Sequence, residues 1–475
     1  MDHTRRWLDY EQSLNEVIDR DRAGRIQIVL RSHTVREECH PEQRGKWRQE
    51  VVWLPAGQVR VYGGVAECIR RAFRLEIPPG RAPLLLHPQM PAAHRRLRDA
   101  FGSTDLGQVW VTPTSSFRSV VASSGRRKPV VLKLSMGAVI SGAHRELRER
   151  EVACGMIISR ILETIPVSER RESGLDWFPE TAGIVETISG TGWLLRQLPR
   201  LMFESGAGQL VPAFSLISRR GEGVPILVEM IRRSGIAAEE FVVEKLLRPY
   251  VSVLGFLLFD QGIQTEGHMQ NILLELDANQ VLTGRVVLRD LSDMSVSIAL
   301  RIARQKPLPA FERTFFPAEV PFPLASVAAD HRANAGRARL LRGHDTVVRW
   351  GLRGFVWSLN TSLARFFPKY RATVVERAYL ALWQEQAVRW LGVKPIFRRM
   401  PRDFAIDDAM ADNLRHIDWT PLGATGGASL AREAEPLLIG GLTRRRRGAD
   451  YERIECPWGD LYLDAGRPAF FRPIV

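Results

Sequence analysis

A chain of 475 residues, 45% hydrophobic and 25% charged, has the make-up of a globular protein with room for two or three domains and a substantial core, which excludes a disordered or fibrous chain. Its four cysteines (Cys39, Cys68, Cys154, Cys456) are scattered, with no CxxC pair and no zinc spacing, which argues against a disulfide scaffold and for a reducing cytoplasm. The formal net charge of +14 leaves three kinds of partner open: nucleic acid, an anionic membrane surface, or anionic small substrates such as nucleotides and polycarboxylates.

No apolar signal segment follows the opening Met1 to Trp7. A charged helical pattern runs from Leu8 to Arg20, and strand-like runs follow at Ile26 to Leu30 and Val51 to Leu54. From Val109 to Leu134, β-branched runs broken by Pro113, Gly125 and Pro129 predict a hairpin with a basic tip, Ser123 to Lys128. Arg145 opens a helical pattern that continues to about Thr164, with apolar residues at Val152, Ile157, Ile158, Ile161 and Leu162. Strands are expected at Gly183 to Val185 and Gly192 to Arg196. Helices are expected at Phe241 to Asp260 and Ala372 to Leu391, separated by a strand pair around Asn271 and Arg289. The longest apolar stretch, Val251 to Phe259, is about half of the ~20 residues a membrane span needs, so a cytoplasmic protein without a membrane partner is expected. A β-rich middle followed by a helical region makes the fold class α+β.

Several groups could carry chemistry. His87-Pro88 either borders a ligand or forms a turn. Ser115-Ser116-Phe117-Arg118-Ser119 sets hydroxyls around an arginine whose paired donors suit phosphate oxygens, or else is an ordinary Ser-rich turn. Lys133 lies inside the apolar run Val130 to Leu134. A buried ammonium needs an anion, such as a nucleotide phosphate, unless the lysine faces solvent on an edge strand. Ser141 and Arg145, four residues apart at the start of a helical pattern, would share a face near a helix N-terminus and clamp a carboxylate. The densest group is Thr265-Glu266-Gly267-His268-Met269-Gln270-Asn271, followed by Arg289-Asp290. Its acids would hold Mg²⁺, its amide oxygens complete the shell, and His268 face a second, anionic substrate; the blander reading is a solvated polar helix end. Gly423-Ala424-Thr425-Gly426-Gly427 lacks a following Lys and reads as a linker, and Arg444 to Arg447 as a solvated surface run. The chain has neither GxxxxGK[ST] nor a strand–GxGxxG–helix unit.

With these motifs in this order, the chain from roughly Leu84 to Ser297 resembles the NRPS-independent siderophore synthetases, the aerobactin-synthetase-like (IucA/IucC) family. The matching pieces are His87-Pro88, Ser116-Phe117-Arg118-Ser119, Leu132-Lys133-Leu134, Ser141, Arg145, Phe178-Pro179-Glu180, Leu195-Arg196-Gln197-Leu198-Pro199, Glu266-Gly267-His268-Met269-Gln270-Asn271 and Arg289-Asp290. Ser119 and Ser141 stand where the family has threonines. Its early Gly-His-Pro-x-His-Pro-x-x-Lys cluster has only an echo, Cys39-His40-Pro41 with Lys46.

The resemblance implies a cupped hand of thumb, fingers and palm, with 1–50 a reduced thumb, 51–205 the β-rich fingers carrying ATP-binding elements and 206–475 a mainly helical palm. It implies a homodimer that uses ATP and Mg²⁺ to convert a carboxylate of citrate or a related acid into an acyl-adenylate, which an amine, hydroxylamine or alcohol then attacks. It implies ATP contacts for His87, Ser116, Arg118, Ser119, Lys133, Gln270, Asn271 and Asp290, and metal ligation by Glu266, Asn271 and Asp290. Ser141, Arg145 and His268 would hold the acid, and Lys133, Arg145 and His268 would be catalytic. Two other readings stay open: a degenerate relative that binds nucleotide or acid without ligating, and, ranked last, a basic nucleic-acid-binding protein.

Overall fold

The computed structural model describes residues 3–14, 18–20, 26–28, 35–125, 127–140, 143–204, 208–219, 223–265, 267–296, 306, 351–391, 393–396, 418–421, 444–447, 452–456, 459–464 and 467–473. Within them the fold is α+β, built around a large antiparallel sheet and a smaller mixed one.

Helix α1 (His3–Ser13) comes first, then a two-stranded ladder of β1 (Ile18–Arg20) and β2 (Ile26–Ile28). The large sheet takes β3 (Trp47–Pro55), β4 (Val59–Gly63), β5 (Arg81–Leu86), β6 (Thr104–Pro113), β7 (Ser119–Ser123), β8 (Val130–Leu134), β12 (Glu180–Glu186) and β13 (Gly192–Arg196), in the order β4-β12-β13-β8-β7-β6-β3-β5. The expected hairpin is the β7–β8 pair inside this meander. Helices α2 (Val65–Phe73) and α3 (Ala92–Phe101) cover one face. There Ile69, Phe73 and Leu97 pack with Val130, Leu132, Leu134, Trp193 and Leu195.

Side chains alternate across a strand, so Val131, Lys133, Leu194 and Arg196 look out from the other face. Val131 packs against Leu210, Leu273 and Val287 of the second sheet. That sheet has the order β11-β17-β16-β14, from β11 (Leu175–Trp177), β14 (Gln209–Pro212), β16 (Ile272–Leu276) and β17 (Leu282–Leu288), with β11 parallel to β17. The small ladders β9 (Val139–Ile140) with β10 (Ala143–His144), and β15 (Ile263–Gln264) with β18 (Ser295–Val296), sit beside these sheets in sequence.

Helix α4 (Glu149–Glu163) buries Val152, Ile157, Ile158 and Ile161 in the main core, together with Leu247, Val251 and Leu254. Helices α5 (Val167–Ser173) and α6 (Ile226–Ser234) follow. Helix α7 (Ala238–Phe241) continues through a π-helical stretch, Val242–Leu247, into α8 (Arg248–Gly255) and ends in a second one, Phe256–Asp260. Pro249 accounts for the first widened stretch, because it has no N–H to donate and its ring crowds the preceding turn. A third, Leu352–Val356, leads into α9 (Trp357–Leu363), followed by α10 (Ala372–Leu391), whose Tyr379 and Trp383 are buried in the same core. No helix among the described residues is long and apolar enough to cross a membrane. At the far end, β21 (Arg444–Arg447), β22 (Glu452–Cys456), β23 (Gly459–Asp464) and β24 (Arg467–Pro473) form an antiparallel ladder. It follows the pair β19 (Val393–Ile396) and β20 (Asp418–Pro421), and Arg444 lies across from Glu455 and Arg447 across from Glu452.

Candidate functional site

The face of the large sheet that looks toward the second sheet carries Ser119, Lys133, Arg196 and Glu180. The register sets Ser119 across from Lys133 and Glu180 across from Arg196. Strand β8 is interior, between β7 and β13, so Lys133 has no solvent edge and is fully buried. Its ammonium reaches the carboxylate of Asp290 and, at 3.2 Å, the hydroxyl of Ser292. Arg196 spans the same group: Nη2 donates to Asp290 Oδ1 at 2.8 Å and Nε to Glu180 Oε1 at 2.7 Å. Burial alone would push the Asp290 carboxyl up, but Lys133, Arg196 and Arg118 outweigh it and hold the group well below the ordinary carboxylate range. Glu180, with burial the dominant influence, is pushed the other way. Its Oε2 lies so near α4 that a Cβ on Gly155 would come within 1.6 Å of it, so a side chain there would displace the Glu180 carboxylate. Glu151, in the first turn of α4, accepts from Arg118 at 3.2 Å and lies 3.9 Å from Lys133.

Between β6 and β7 the chain folds into a tight turn. Thr114 Oγ1 donates to the carbonyl of Ser119 (2.8 Å), and Ser116 Oγ accepts the Ser119 N–H (3.1 Å). Phe117 sits at φ 60°, a left-handed conformation that a bulky side chain adopts only when its surroundings enforce it. His87 supplies part of that enforcement. Its Nδ1 accepts the Gln89 N–H (3.0 Å), which leaves Nε2 to donate to the Phe117 carbonyl (3.3 Å). Burial lowers the His87 imidazole to about 4, so the ring is neutral at ordinary pH. His40, from the Cys39-His40-Pro41 echo, packs edge-on against the Phe117 ring at 5.3 Å, which brings that segment onto the same turn.

At one end of the β16–β17 ladder, Asn271 precedes Ile272 and Asp290 follows Leu288 and Arg289; Ile272 and Leu288 are register partners. The Arg289 N–H donates to Asn271 O (3.0 Å) and its Nε to Gln270 O (2.6 Å). The loop before Asn271 is pinned from two helices: Tyr250 OH donates to Gly267 O, and the Met269 N–H to Gly354 O (3.2 Å). A Cβ on Gly354 would lie 2.7 Å from His268 Cβ, so the π-helical stretch approaches this loop through glycine. Asp290 itself is left-handed (φ 62°), which turns its carboxylate back toward Lys133 and Arg196. All its hydrogen bonds among the described residues fall on Oδ1; Oδ2 and the Asn271 side chain make none. Two oxygen donors at one ladder end are a fitting start for a hard cation, although no group of three His, Cys, Asp or Glu suited to a metal occurs among the described residues.

Two expected residues, Ser141 and Glu266, lie outside the described residues, as does Gly423 to Gly427. Arg145 is described, but not in a helix. Helix α4 starts four residues later, at Glu149, where the Glu151 carboxylate in the first turn accepts the N–H of the N-cap residue Arg148 (2.9 Å). Arg145 instead lies just after β10 and donates to the carbonyl of Ile140 at 3.0 Å, so the helix N-terminus expected beside it is absent.

Sequence reasoning missed Glu11, Glu151 and Ser292, and it took Glu180 and Arg196 only as landmarks. Glu11, fully buried on α1, accepts from Trp7 Nε1 (3.0 Å), the Ser115 N–H (3.3 Å), the Ser115 hydroxyl and Arg289 Nη1. An acid four residues after a tryptophan, on one helix face, was the available signal.

The site thus sets the turn that carries Arg118 near an acid at a ladder end, on two facing sheets. Residues 31–218 match the model of the IucA / IucC family, and the resemblance to the siderophore synthetases read from the motifs is borne out. The chain shares its fold with ATP-bound aerobactin synthetase IucA from a hypervirulent pathotype of Klebsiella pneumoniae (15% identity, TM-score 0.55, 82% of this chain and 73% of that one). It shares it also with petrobactin biosynthesis protein AsbB from Bacillus anthracis str. Sterne (15% identity, TM-score 0.57, 84% and 70%). Aerobactin synthetase IucC, from the same Klebsiella pneumoniae pathotype, aligns at 17% identity and TM-score 0.50 over 74% of this chain; the chain spans 63% of that protein's length. No curated protein matches the chain.

Proposed function

We propose that this protein is a siderophore synthetase that uses ATP and Mg²⁺ to adenylate a carboxylate of citrate or a related acid and joins it to an amine, hydroxylamine or alcohol. The observation that carries the reading is the grouping of Lys133, Arg118 and Arg196 around Asp290, whose Oδ2, like the Asn271 side chain one ladder position away, makes no hydrogen bond among the described residues. The family match and the ATP-bound relative support it. On this reading 1–50 is a reduced thumb, 51–205 the fingers and 206–475 the palm, in a cytoplasmic homodimer.

A carboxylate is inert to amines until it gains a leaving group, and bringing two anions together needs fixed positive charge. Ser116, Arg118, Ser119 and Lys133 would bind the phosphates, with His87 neutral behind the turn. Gln270 would contact the nucleotide. Asp290, Asn271 and Glu266 would hold Mg²⁺, which supplies charge neutralisation for the phosphates. Until an anion arrives, Asp290 serves as the counter-ion of Lys133 and Arg196, so the site keeps its cations aligned at low cost in reorganisation. His268, Arg145 and Ser141 would hold the acid.

The test is pyrophosphate release from ATP-Mg²⁺, with hydroxylamine as surrogate nucleophile, across citrate, 2-oxoglutarate and succinate derivatives. Release that requires one acid and falls at least about a hundredfold in Lys133→Ala is expected. Arg145→Ala should raise KM for the acid and leave that for ATP nearly unchanged. Wild-type protein that binds ATP but releases no pyrophosphate with any acid would replace this reading with that of a non-ligating relative.

A further inference from the structure

Helix α1 turns one face inward, and Thr4, Trp7 and Glu11 are its buried residues on that side. Trp7 belongs there. It packs on Phe178 with ring centroids 5.4 Å apart, in an apolar cluster that joins Val121 and Val131 of the large sheet to Leu210, Leu273 and Val287 of the second. A carboxylate on the same face is costly unless its oxygens are fully engaged. Glu11 meets that condition with four donors: Trp7 and Arg289 on Oε1, and the backbone and hydroxyl of Ser115 on Oε2.

Two of these partners, Ser115 and Arg289, each adjoin a residue assigned to the nucleotide or metal. Ser115 precedes Ser116 of the phosphate turn, and Arg289 precedes Asp290. Through Nε, Arg289 also grips the carbonyl of Gln270. Glu11 is therefore the node at which the 115–119 turn, the 267–271 loop and the 289–290 corner share one frame. We propose that Glu11 is a positioning residue for the nucleotide site, acting through Arg289 and Ser115 without touching the nucleotide. This rests on the nucleotide reading given above.

A merely structural Glu11 would anchor α1 and affect melting alone. The distinguishing experiment is calorimetric titration of the full chain with ATP-Mg²⁺, well below the melting temperature, for wild type, Glu11→Gln, Arg289→Gln and the double variant. Loss of hydrogen bonds to a charged group predicts about tenfold weaker binding in Glu11→Gln. Because Glu11 acts largely through Arg289, adding Glu11→Gln to Arg289→Gln should weaken binding by less than about twofold more. Wild-type affinity in a folded Glu11→Gln protein with a lowered melting temperature overturns the proposal, as do fully additive effects. Should Glu11→Gln fail to fold, Ser115→Ala removes one arm alone and should weaken ATP-Mg²⁺ binding about threefold; unchanged affinity there overturns it equally. A wild-type protein that binds no ATP-Mg²⁺ overturns the nucleotide reading and this inference together, whereas binding that Glu11→Gln leaves intact overturns this inference alone.

Discussion

Asp290 holds two buried cations with one oxygen, and it does so from a left-handed corner that aspartate tolerates better than most residues. Asp290→Asn keeps the shape and removes the charge, leaving Lys133 and Arg196 under-compensated. Breaking a buried pair in this way should cost about 3–5 kcal/mol, read as a lower urea midpoint, and Mg²⁺-dependent turnover should vanish with it. A second prediction concerns His87 and His94, both buried and both lowered by burial from 6.5 to about 4. They fold as neutral rings, so between those values the unfolded chain binds more protons than the folded one. Stability is therefore lost as pH falls through that window, by about 1.4 kcal/mol per pH unit for each ring. Replacing His94, which meets Thr191 at 2.9 Å, by Gln should roughly halve this slope in urea titrations from about pH 6.5 to 4.5. A slope unchanged by the substitution would exclude His94 as one of the groups. Lys133 could be picked out from the sequence because a charge inside an apolar run demands a partner. That the partner is Asp290, 157 positions away, with Arg196 beside it, depends on strand order, which local periodicity does not encode.

Among the elements, those with a strong period were readable: α10 spans Ala372–Leu391, as its pattern predicts, and β13 ends at Arg196. The start of α4 was not, since apolar spacing is silent about which residue caps, and the bond from the Arg148 N–H to Glu151 sets the first turn beyond Arg145. The π-helical stretches were invisible for a similar reason: they answer to Pro249 and to neighbouring loops rather than to hydrophobic spacing. The third stretch makes a testable contact. In an isolated helix Gly354→Ala would stabilise by about 1 kcal/mol, yet here the new methyl meets His268 Cβ at 2.7 Å. The substitution should lower the melting temperature and raise KM for the acid by moving His268; a more stable protein with unchanged KM would mean the loop yields freely.

Over the whole molecule, two sheets meet through an apolar layer that includes a residue of α1. Trp7→Ala should cost about 3–5 kcal/mol and make the junction between the sheets sensitive to limited proteolysis, while α2 and α3 stay protected over their own face. The pairing of these sheets was beyond the sequence, because β11 leaves the run of large-sheet strands to lie parallel to β17, a partner more than a hundred residues downstream. The same geography has a consequence for synthesis. Glu11 and Arg289 are 278 positions apart, and at about 5–20 residues per second a ribosome needs roughly 15–55 s to traverse that distance. During this interval the first helix has emerged without the guanidinium that neutralises its inward acid. A stalled nascent chain ending before position 289 should therefore leave α1 open to protease, and one extended to about position 330, so that 289 clears the exit tunnel, should close it.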